Sequence, residues 1–370
     1  MSRARKRVII HLVAGARPNF MKVAPVYHAL RRAGWGRPLL VHTGQHYDAS
    51  MSATFLRDLG MSDPDCHLGV GGRTHAEQTA RVMVAYERAC MRHRPDWTVV
   101  VGDVNSTLAC ALVAKKLGVA VAHLEAGLRS FDRSMPEEIN RLLTDALSDL
   151  LWTPSPDADA NLRREGIPPE RIVRVGNIMI DSYEMLRERI EAARTCRSLG
   201  LAPRAYGVVT LHRPANVDRR QTLARLVGAL AEICPQLPLV FPVHPRTRRR
   251  LEAFGLWARV RNTRGLRPVG PMGYIRFMSL VRDARLVITD SGGLQEETTY
   301  LDIPCLTLRE NTERPITTTQ GTNRLVGAAT LRKSVQEVLR SRWVSGTRPA
   351  FWDGHAADRV VESLRRVIRP

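Results

Sequence analysis

The sequence predicts an α/β protein built from two doubly wound parallel sheets. Three observations predict it. Short apolar segments alternate with amphipathic ones along the whole chain, in the order strand, loop, helix. The alternation pauses over Thr195–Arg204, which carries Gly200 and Pro203, and then restarts. The chain has 370 residues, more than one core serves, since single cores stop growing near ~250–300 residues. Aromatic residues make up only 5% of it, so the cores must be filled mainly by Val, Leu, Ile and Ala, as buried parallel strands are.

The elements follow in order. Val8–Val13 reads as a buried strand and Asn19–Arg32 as a helix; Pro38–His42 is a strand and Thr74–Arg92 a long helix. Thr98–Val101 is a strand ending in Gly102-Asp103, with a helix near Ser106–Leu117 behind it. Ala120–Leu124 is a strand ending in Glu125, and Leu151–Thr153 and Ile172–Val175 are short strands with a helix between them. After the break come strand Gly207–Leu211, helix Gln221–Ile233, and strands Leu237–Phe241 and Arg267–Val269. Helix Tyr274–Val281, strand Leu286–Thr289, a helix near Gly293–Tyr300 and strand Cys305–Leu308 complete the second unit. The expected domains are residues 1–177 and 178–355, with a last helix at 356–370 that packs on either one. Two such units facing each other leave a cleft, where ligands usually bind, and the chemistry is expected at the carboxyl ends of the strands.

Composition narrows the function. The formal charge is +20 and the sequence pI about 10.8, which raises nucleic-acid binding. Against it, the arginines are spread along the chain and no RNP, KH, zinc-finger or basic-zipper motif appears. The only dense run is Arg246-Thr247-Arg248-Arg249-Arg250, which reads as one solvated helix face, and no nucleic-acid partner is expected. The six cysteines form no CxxC pair and have no zinc-ligand spacing with histidine, so reduced core thiols and no metal site are expected. Basic Met1–Arg7 before apolar Val8–Ala16 superficially resembles a leader, but the run is short, contains His11 and leads into Arg17. No stretch approaches the ~18 apolar residues of a membrane span, and a soluble cytoplasmic protein is expected.

Four constellations carry chemistry. Ser291-Gly292-Gly293 follows a strand and opens a helix, where free N–H groups and the helix dipole suit a phosphate; an ordinary tight turn is the alternative. The loop Gly15–Lys22 after the first strand lacks GxGxxG, so no dinucleotide fingerprint stands there. It offers two cations, Arg17 and Lys22, at a strand's carboxyl end. Asp103 and Glu125 close neighbouring strands, with Glu137 and Glu138 further on; clustered carboxylates suit acid and base roles, helix capping or Mg²⁺. His212 and His244 stand at the carboxyl ends of neighbouring strands in the second unit.

In this order the stretches GARPNFMKVAPV, TGQHYD, GDVNSTLA, HLEAGLRSFDRSMPEEINR, VTLHRPANVD, DSGGLQEE and LRENTERPIT resemble the non-hydrolysing UDP-N-acetylglucosamine 2-epimerase family, from Gly15 to about Gly327. The family fold is similar to the GT-B glycosyltransferases: two Rossmann-like domains with the active site in the interdomain cleft. The resemblance implies C2 inversion by elimination of UDP to a glycal and re-addition, with no redox cofactor and a homodimeric assembly. It implies acid/base work for Asp103, Glu125 and Glu137, and leaving-group stabilisation by His212. It places Arg17 and Lys22 near phosphates and sugar, Ser291, Gly292 and Gly293 at the phosphate, Glu297 at the ribose, Arg314 at the nucleotide and Phe277 by the uracil.

The chain also departs from the family pattern. Many members read Arg-Pro-Glu where it has Arg17-Pro18-Asn19, and two arginines and an acid where it has Arg213-Pro214-Ala215. Gln45, His46 and His244 match parts of the allosteric UDP-sugar site of bacterial members, but Pro214 cannot supply a guanidinium. A modified UDP-sugar such as a diacetamido uronic acid, a hydrolysing epimerase and a GT-B glycosyltransferase are the alternative readings.

Overall fold

The computed structural model of the chain describes residues 7–44, 56–71, 74–341, 343 and 346–368. The chain divides into two units, one formed by Met1–Met185 with Ala350–Pro370 and the other by Leu186–Pro349.

The first unit runs β1 (Val8–Ala14), α1 (Arg17–Ala33), β2 (Gly36–His42), β3 (Cys66–His67), α2 (His75–His93), β4 (Trp97–Val101) and α3 (Asn105–Lys116). It continues with β5 (Ala120–Leu124), α4 (Pro136–Leu147), β6 (Leu150–Thr153), α5 (Pro156–Arg164), β7 (Ile172–Arg174) and the first half of α6 (Ile178–Ala193), whose later residues belong to the second unit. Its sheet has seven strands in the order β3-β2-β1-β4-β5-β6-β7, and every pairing is parallel. Every residue of β4 is buried, as expected of a strand covered on both faces. The core around it is aliphatic: Val13, Val41, Val82, Val100, Ala109 and Val121 pack with Tyr86.

The second unit contains β8 (Gly207–Thr210), α7 (Arg220–Ile233), β9 (Leu239–Pro242), α8 (Pro245–Ala253), β10 (Leu266–Val269) and α9 (Tyr274–Arg282). Then come β11 (Leu286–Thr289), α10 (Gly292–Tyr300), β12 (Cys305–Thr307), β13 (Asn323–Leu325) and α11 (Ala328–Leu339). Its six strands lie in the order β10-β9-β8-β11-β12-β13, again all parallel. Leu, Val and Ile from β8, β9 and β11 fill the core with α7 and α11.

The α/β alternation and the two parallel sheets read from the sequence are present. The sequence reading assigned no element to β3, β13, α4, α6 or α11. The two short strands, of two and three residues, have no period to show. Helix α4 did carry a signal: Pro136 at its first position and Glu137 and Glu138 in its first turn mark an N-terminus.

The chain returns to the first unit in α12 (Ala356–Ile368), which packs on α1. Trp352, buried just before it, donates its indole N–H to the Pro154 carbonyl at 3.0 Å. Asp181 accepts the N–H groups of Ala356 and Ala357 at 3.2 and 2.7 Å, so a carboxylate stands at the helix N-terminus where the dipole favours it. All six cysteines are free, and five are buried. Among the described residues no helix is long and apolar enough to cross a membrane.

Replacing Trp352 by Ala should destabilise the first unit by about 3–5 kcal/mol, through lost burial and an orphaned Pro154 carbonyl. A urea melt followed by fluorescence checks it; an unchanged midpoint would refute the anchoring role.

Candidate active site

In each sheet the strand order reverses once. The reversal lies between β1 and β4 in the first unit and between β8 and β11 in the second. Loops leaving adjacent strands there diverge to opposite faces and open a crevice at the carboxyl ends. The residues of interest gather at those two places.

In the first unit, Lys22 projects from α1 and pairs with Oε2 of Glu125, just beyond β5. Both are buried. Glu125 adopts φ 72°, a left-handed conformation that costs on the order of 1–3 kcal/mol for a non-glycine residue. A conformation of that kind persists only where the surrounding structure over-determines it. Its other oxygen, Oε1, is buried and has no hydrogen-bond partner among the described residues. Gly102, φ 67°, ends β4 alongside; a Cβ there would lie 3.3 Å from Lys22 Nζ and 3.5 Å from Glu125 Oε2. Asn19 pins the loop: its oxygen accepts from the Gly15 and Ala16 N–H groups at 3.3 and 2.9 Å, and its amide donates to the Val101 carbonyl at 3.0 Å.

Asp103 follows Gly102, and because Val101 pairs in register with Leu124, Asp103 and Glu125 leave neighbouring strand ends. Arg141, nearly fully buried on α4, bridges Asp103 at 2.5 Å and Glu138 at 2.6 Å. Burial alone would lift the Glu138 carboxyl; the Ser130 and Phe131 N–H groups and Arg141 outweigh it and hold it below the ordinary range. Glu138 is therefore a fixed counter-ion. Glu137 is half-buried in the same turn and makes no hydrogen bond or ion pair among the described residues. Helix α1 begins at Arg17, whose side chain lies outside what is described, as do Gln45 and His46.

In the second unit the organising group is Asp290, which ends β11 and is fully buried. It accepts the backbone N–H groups of His212 and Arg213 at 3.0 and 2.9 Å and the Asn216 amide at 3.1 Å. His212 Nδ1 lies 2.8 Å from its other oxygen. Burial would raise Asp290, but His212 beside it and the Arg213 N–H hold it ionised, below the usual range. Nδ1 of His212 therefore donates, and Nε2 faces away on a side chain that is 40% exposed. The His244 ring stands 5.7 Å from that of His212, and its Nδ1 accepts the Arg246 N–H, capping α8. Burial, then the neighbouring His212, lowers its pKa.

Ser291 precedes α10, and Gly292 and Gly293 form its first turn. A Cβ on Gly292 would meet Glu313 Oε1 at 2.6 Å and Arg314 Nη1 at 2.9 Å, so a side chain there would have to displace that ion pair. Arg314 is locked by Glu313 at 2.5 Å and Glu296 at 2.9 Å, and Arg309 adds a second cation 2.8 Å from Glu313. Glu297, buried on the same helix, accepts the Tyr274 hydroxyl at 2.7 Å. Phe277 lies half-buried one turn after Tyr274 on α9, hence on the same face. Gln295, fully buried, donates to the Ser291 carbonyl at 3.2 Å and accepts from Thr312 and Asn323, which anchors the loop from behind.

Sequence reasoning named Lys22, Asp103, Glu125, His212 and the Ser291–Gly293 loop, and missed Asp290, Arg141 and Gln295. Asp290 had a signal: an acid ending a strand beside the one that ends in a histidine. Arg141 had none, because only the packing of α4 brings it to Asp103. Among the described residues no group of three or more His, Cys, Asp or Glu side chains converges as metal ligands would.

The family model described as UDP-N-acetylglucosamine 2-epimerase matches residues 28–365. The chain is 39% identical over 364 residues to the UDP-N-acetylglucosamine 2-epimerase of Methanocaldococcus jannaschii, covering 96% of this chain and 98% of the relative. It is 40% identical over 362 residues to the UDP-2,3-diacetamido-2,3-dideoxy-D-glucuronate 2-epimerase of Pseudomonas aeruginosa, covering 96% and 99%. The crystal structure of the Methanocaldococcus jannaschii enzyme in complex with UDP-GlcNAc and UDP superposes with a TM-score of 0.89 at 38% identity, over 97% of this chain and 100% of that one.

Burial, with Glu296 adding to it and the Tyr274 hydrogen bond opposing it, pushes Glu297 up to about 7 from 4.5. The folded protein thus holds a proton there that the unfolded chain has lost, and stability should fall as pH rises from about 4.5 to about 7. The loss is a few kcal/mol at most, about 1.4 kcal/mol per pKa unit. Glu297→Gln should flatten that slope in melting temperature against pH; an unaltered slope would place the proton elsewhere.

Proposed function

The chain belongs to the UDP-N-acetylglucosamine 2-epimerase family, and we propose that it reversibly inverts C2 of UDP-N-acetylglucosamine to give UDP-N-acetylmannosamine. The C2 proton is not α to a carbonyl, so direct abstraction and return is closed to ordinary bases. Elimination opens the route. A carboxylate takes the C2 proton, the C2–H electrons form the C1–C2 double bond, and the C1–O bond breaks with its electrons on the departing UDP. Addition of UDP to C1 and delivery of a proton to C2 from the other face complete the inversion. No oxidant or reductant enters this balance.

The observation that carries the reading is Glu125: a buried carboxylate, one oxygen held by Lys22 and the other without a partner among the described residues, with Asp103 at the neighbouring strand end. Such a group is positioned to exchange a proton, and Asp103 serves the opposite face, with Glu137 in reserve on α4. His212, its Nδ1 fixed by Asp290, donates from Nε2 to the leaving diphosphate. Ser291, Gly292 and Gly293 with Arg314 hold that diphosphate, Glu297 the ribose and Phe277 the base, while Arg17 and Lys22 supply further positive charge.

A second reading is favoured by the 40% identity to the diacetamido-glucuronate epimerase: the same reaction on a modified UDP-sugar. Proton NMR in D₂O separates the two. Growth of UDP-N-acetylmannosamine with deuterium at C2 supports the first; silence with UDP-N-acetylglucosamine but exchange with the diacetamido uronate selects the second. Release of free UDP and N-acetylmannosamine would point to hydrolysis instead.

Glu125→Gln and Asp103→Asn should each lower turnover by about 10²–10⁴-fold, the usual worth of a positioned acid or base, while UDP affinity by calorimetry stays unchanged. Wild-type turnover in both variants would remove these residues from the mechanism.

A further inference from the structure

His123, fully buried on β5, is used by none of the steps above. Its Nε2 lies 2.9 Å from the Gly102 carbonyl oxygen and its Nδ1 2.6 Å from Asp145 Oδ1. A carbonyl can only accept, so Nε2 donates. Asp145, fully buried on α4, takes the Gly127 N–H on Oδ2 at 3.0 Å, with Arg129 Nη2 2.7 Å away. Arg129 and the Gly127 N–H both present donors to it, so it stands as a carboxylate on geometry alone. An ionised carboxylate also only accepts, so Nδ1 donates as well. With an acceptor facing each nitrogen, the geometry calls for a proton on both. Arg129 continues to Glu165 at 2.6 Å, so two positive and two negative side chains close a balanced line.

The two backbone groups gripped by this line flank the proposed reacting carboxylates. The Gly102 carbonyl immediately precedes Asp103. The Gly127 N–H comes two residues after Glu125. Gly102, Glu125 and Gly127 all sit in the left-handed region, at φ 67°, 72° and 80°, where the chain needs outside restraint. Gly127 has no slack on its other side: a Cβ there would lie 2.4 Å from the Ala158 carbonyl oxygen. A neutral ring has one donor, and would leave either Gly102 or Asp145 unserved.

We propose that His123 is a positioning residue for the C2 proton transfers: as an imidazolium joined to Asp145, it fixes the turn before Asp103 against the turn after Glu125. It touches no substrate. The proposal rests on the reading of Asp103 and Glu125 as the acid/base pair.

Two measurements on the full chain test it. Nitrogen-15 NMR of histidine-labelled protein near neutral pH should show one buried ring with both nitrogens protonated; a neutral tautomer for His123 overturns the proposal whatever the activity. In kinetics, H123N keeps an amide near the Nδ1 position and loses the Gly102 contact. It should cut kcat and C2 deuterium exchange by about a hundredfold, the scale of a displacement near 1 Å, with KM and UDP affinity unmoved. H123Q, which keeps a donor near Nε2, should recover most of that loss. Full kcat in H123N, or a loss expressed in KM or UDP affinity, would overturn the role. If H123N does not fold, the NMR result and the kcat of H123Q decide. A wild type that exchanges C2 of no UDP-sugar refutes the proposed reaction instead, and the NMR result still reports on the ring.

Discussion

The chemistry available to this chain depends on one topological constraint: the strand order reverses once in each parallel sheet. At a reversal, neighbouring strands send their loops to opposite faces, and the ground between them stays open. In the first sheet that ground receives Lys22 from the loop and helix after β1 and Gly102-Asp103 from β4, with Glu125 one strand further on. In the second it receives His212 from β8 and Asp290–Gly293 from β11. The same device in two sheets builds two different sites, because the side chains at the strand ends differ. One is a set of carboxylates balanced by cations. The other is a turn of small residues at a helix N-terminus beside a histidine.

Charge compensation decides how those side chains are held. A buried charge without a partner is expensive, and a buried pair seldom adds net stability. The repeated pairing here is better understood as orientation. Arg141 spans Asp103 and Glu138, so a more exposed carboxylate is aimed by a buried one. Asp290 gathers three N–H donors and the His212 ring, which sets the tautomer of that ring and leaves Nε2 outward. Glu313 lies between Arg309 and Arg314 and keeps the guanidinium of Arg314 against Gly292. In each case a buried acid makes a neighbouring group rigid, and rigidity is what proton and group transfer require.

The departures from the family pattern have local explanations. Where many members carry Glu, Asn19 uses both ends of its amide, accepting from Gly15 and Ala16 and donating to Val101. A carboxylate could not make the donated bond. The β1–α1 loop is thereby tied to β4 through hydrogen bonds instead of charge. Pro214 opens a single helical turn, Pro214–Val217, whose Asn216 reaches both Asp290 and the Leu308 carbonyl. The turn after the histidine thus supports Asp290 in this chain.

The sequence alone determined the class of fold and the catalogue of strand-end residues. Strand–helix alternation is a local periodicity, and a residue that follows an apolar run is at a strand end wherever the strand goes. Asp103, Glu125, His212 and Ser291–Gly293 were legible for that reason, and Lys22 because it stands near the start of the helix after the first strand. The tertiary structure decided which of them meet and what restrains them. The order β1 beside β4 and β8 beside β11 joins strands far apart in sequence. Arg141, Asp145 and His123 lie inside a helix or strand with nothing local to distinguish them, and take their roles only when α4 packs against the ends of β4 and β5. Periodicity reports which face a side chain occupies; only the packed chain reports what stands opposite it.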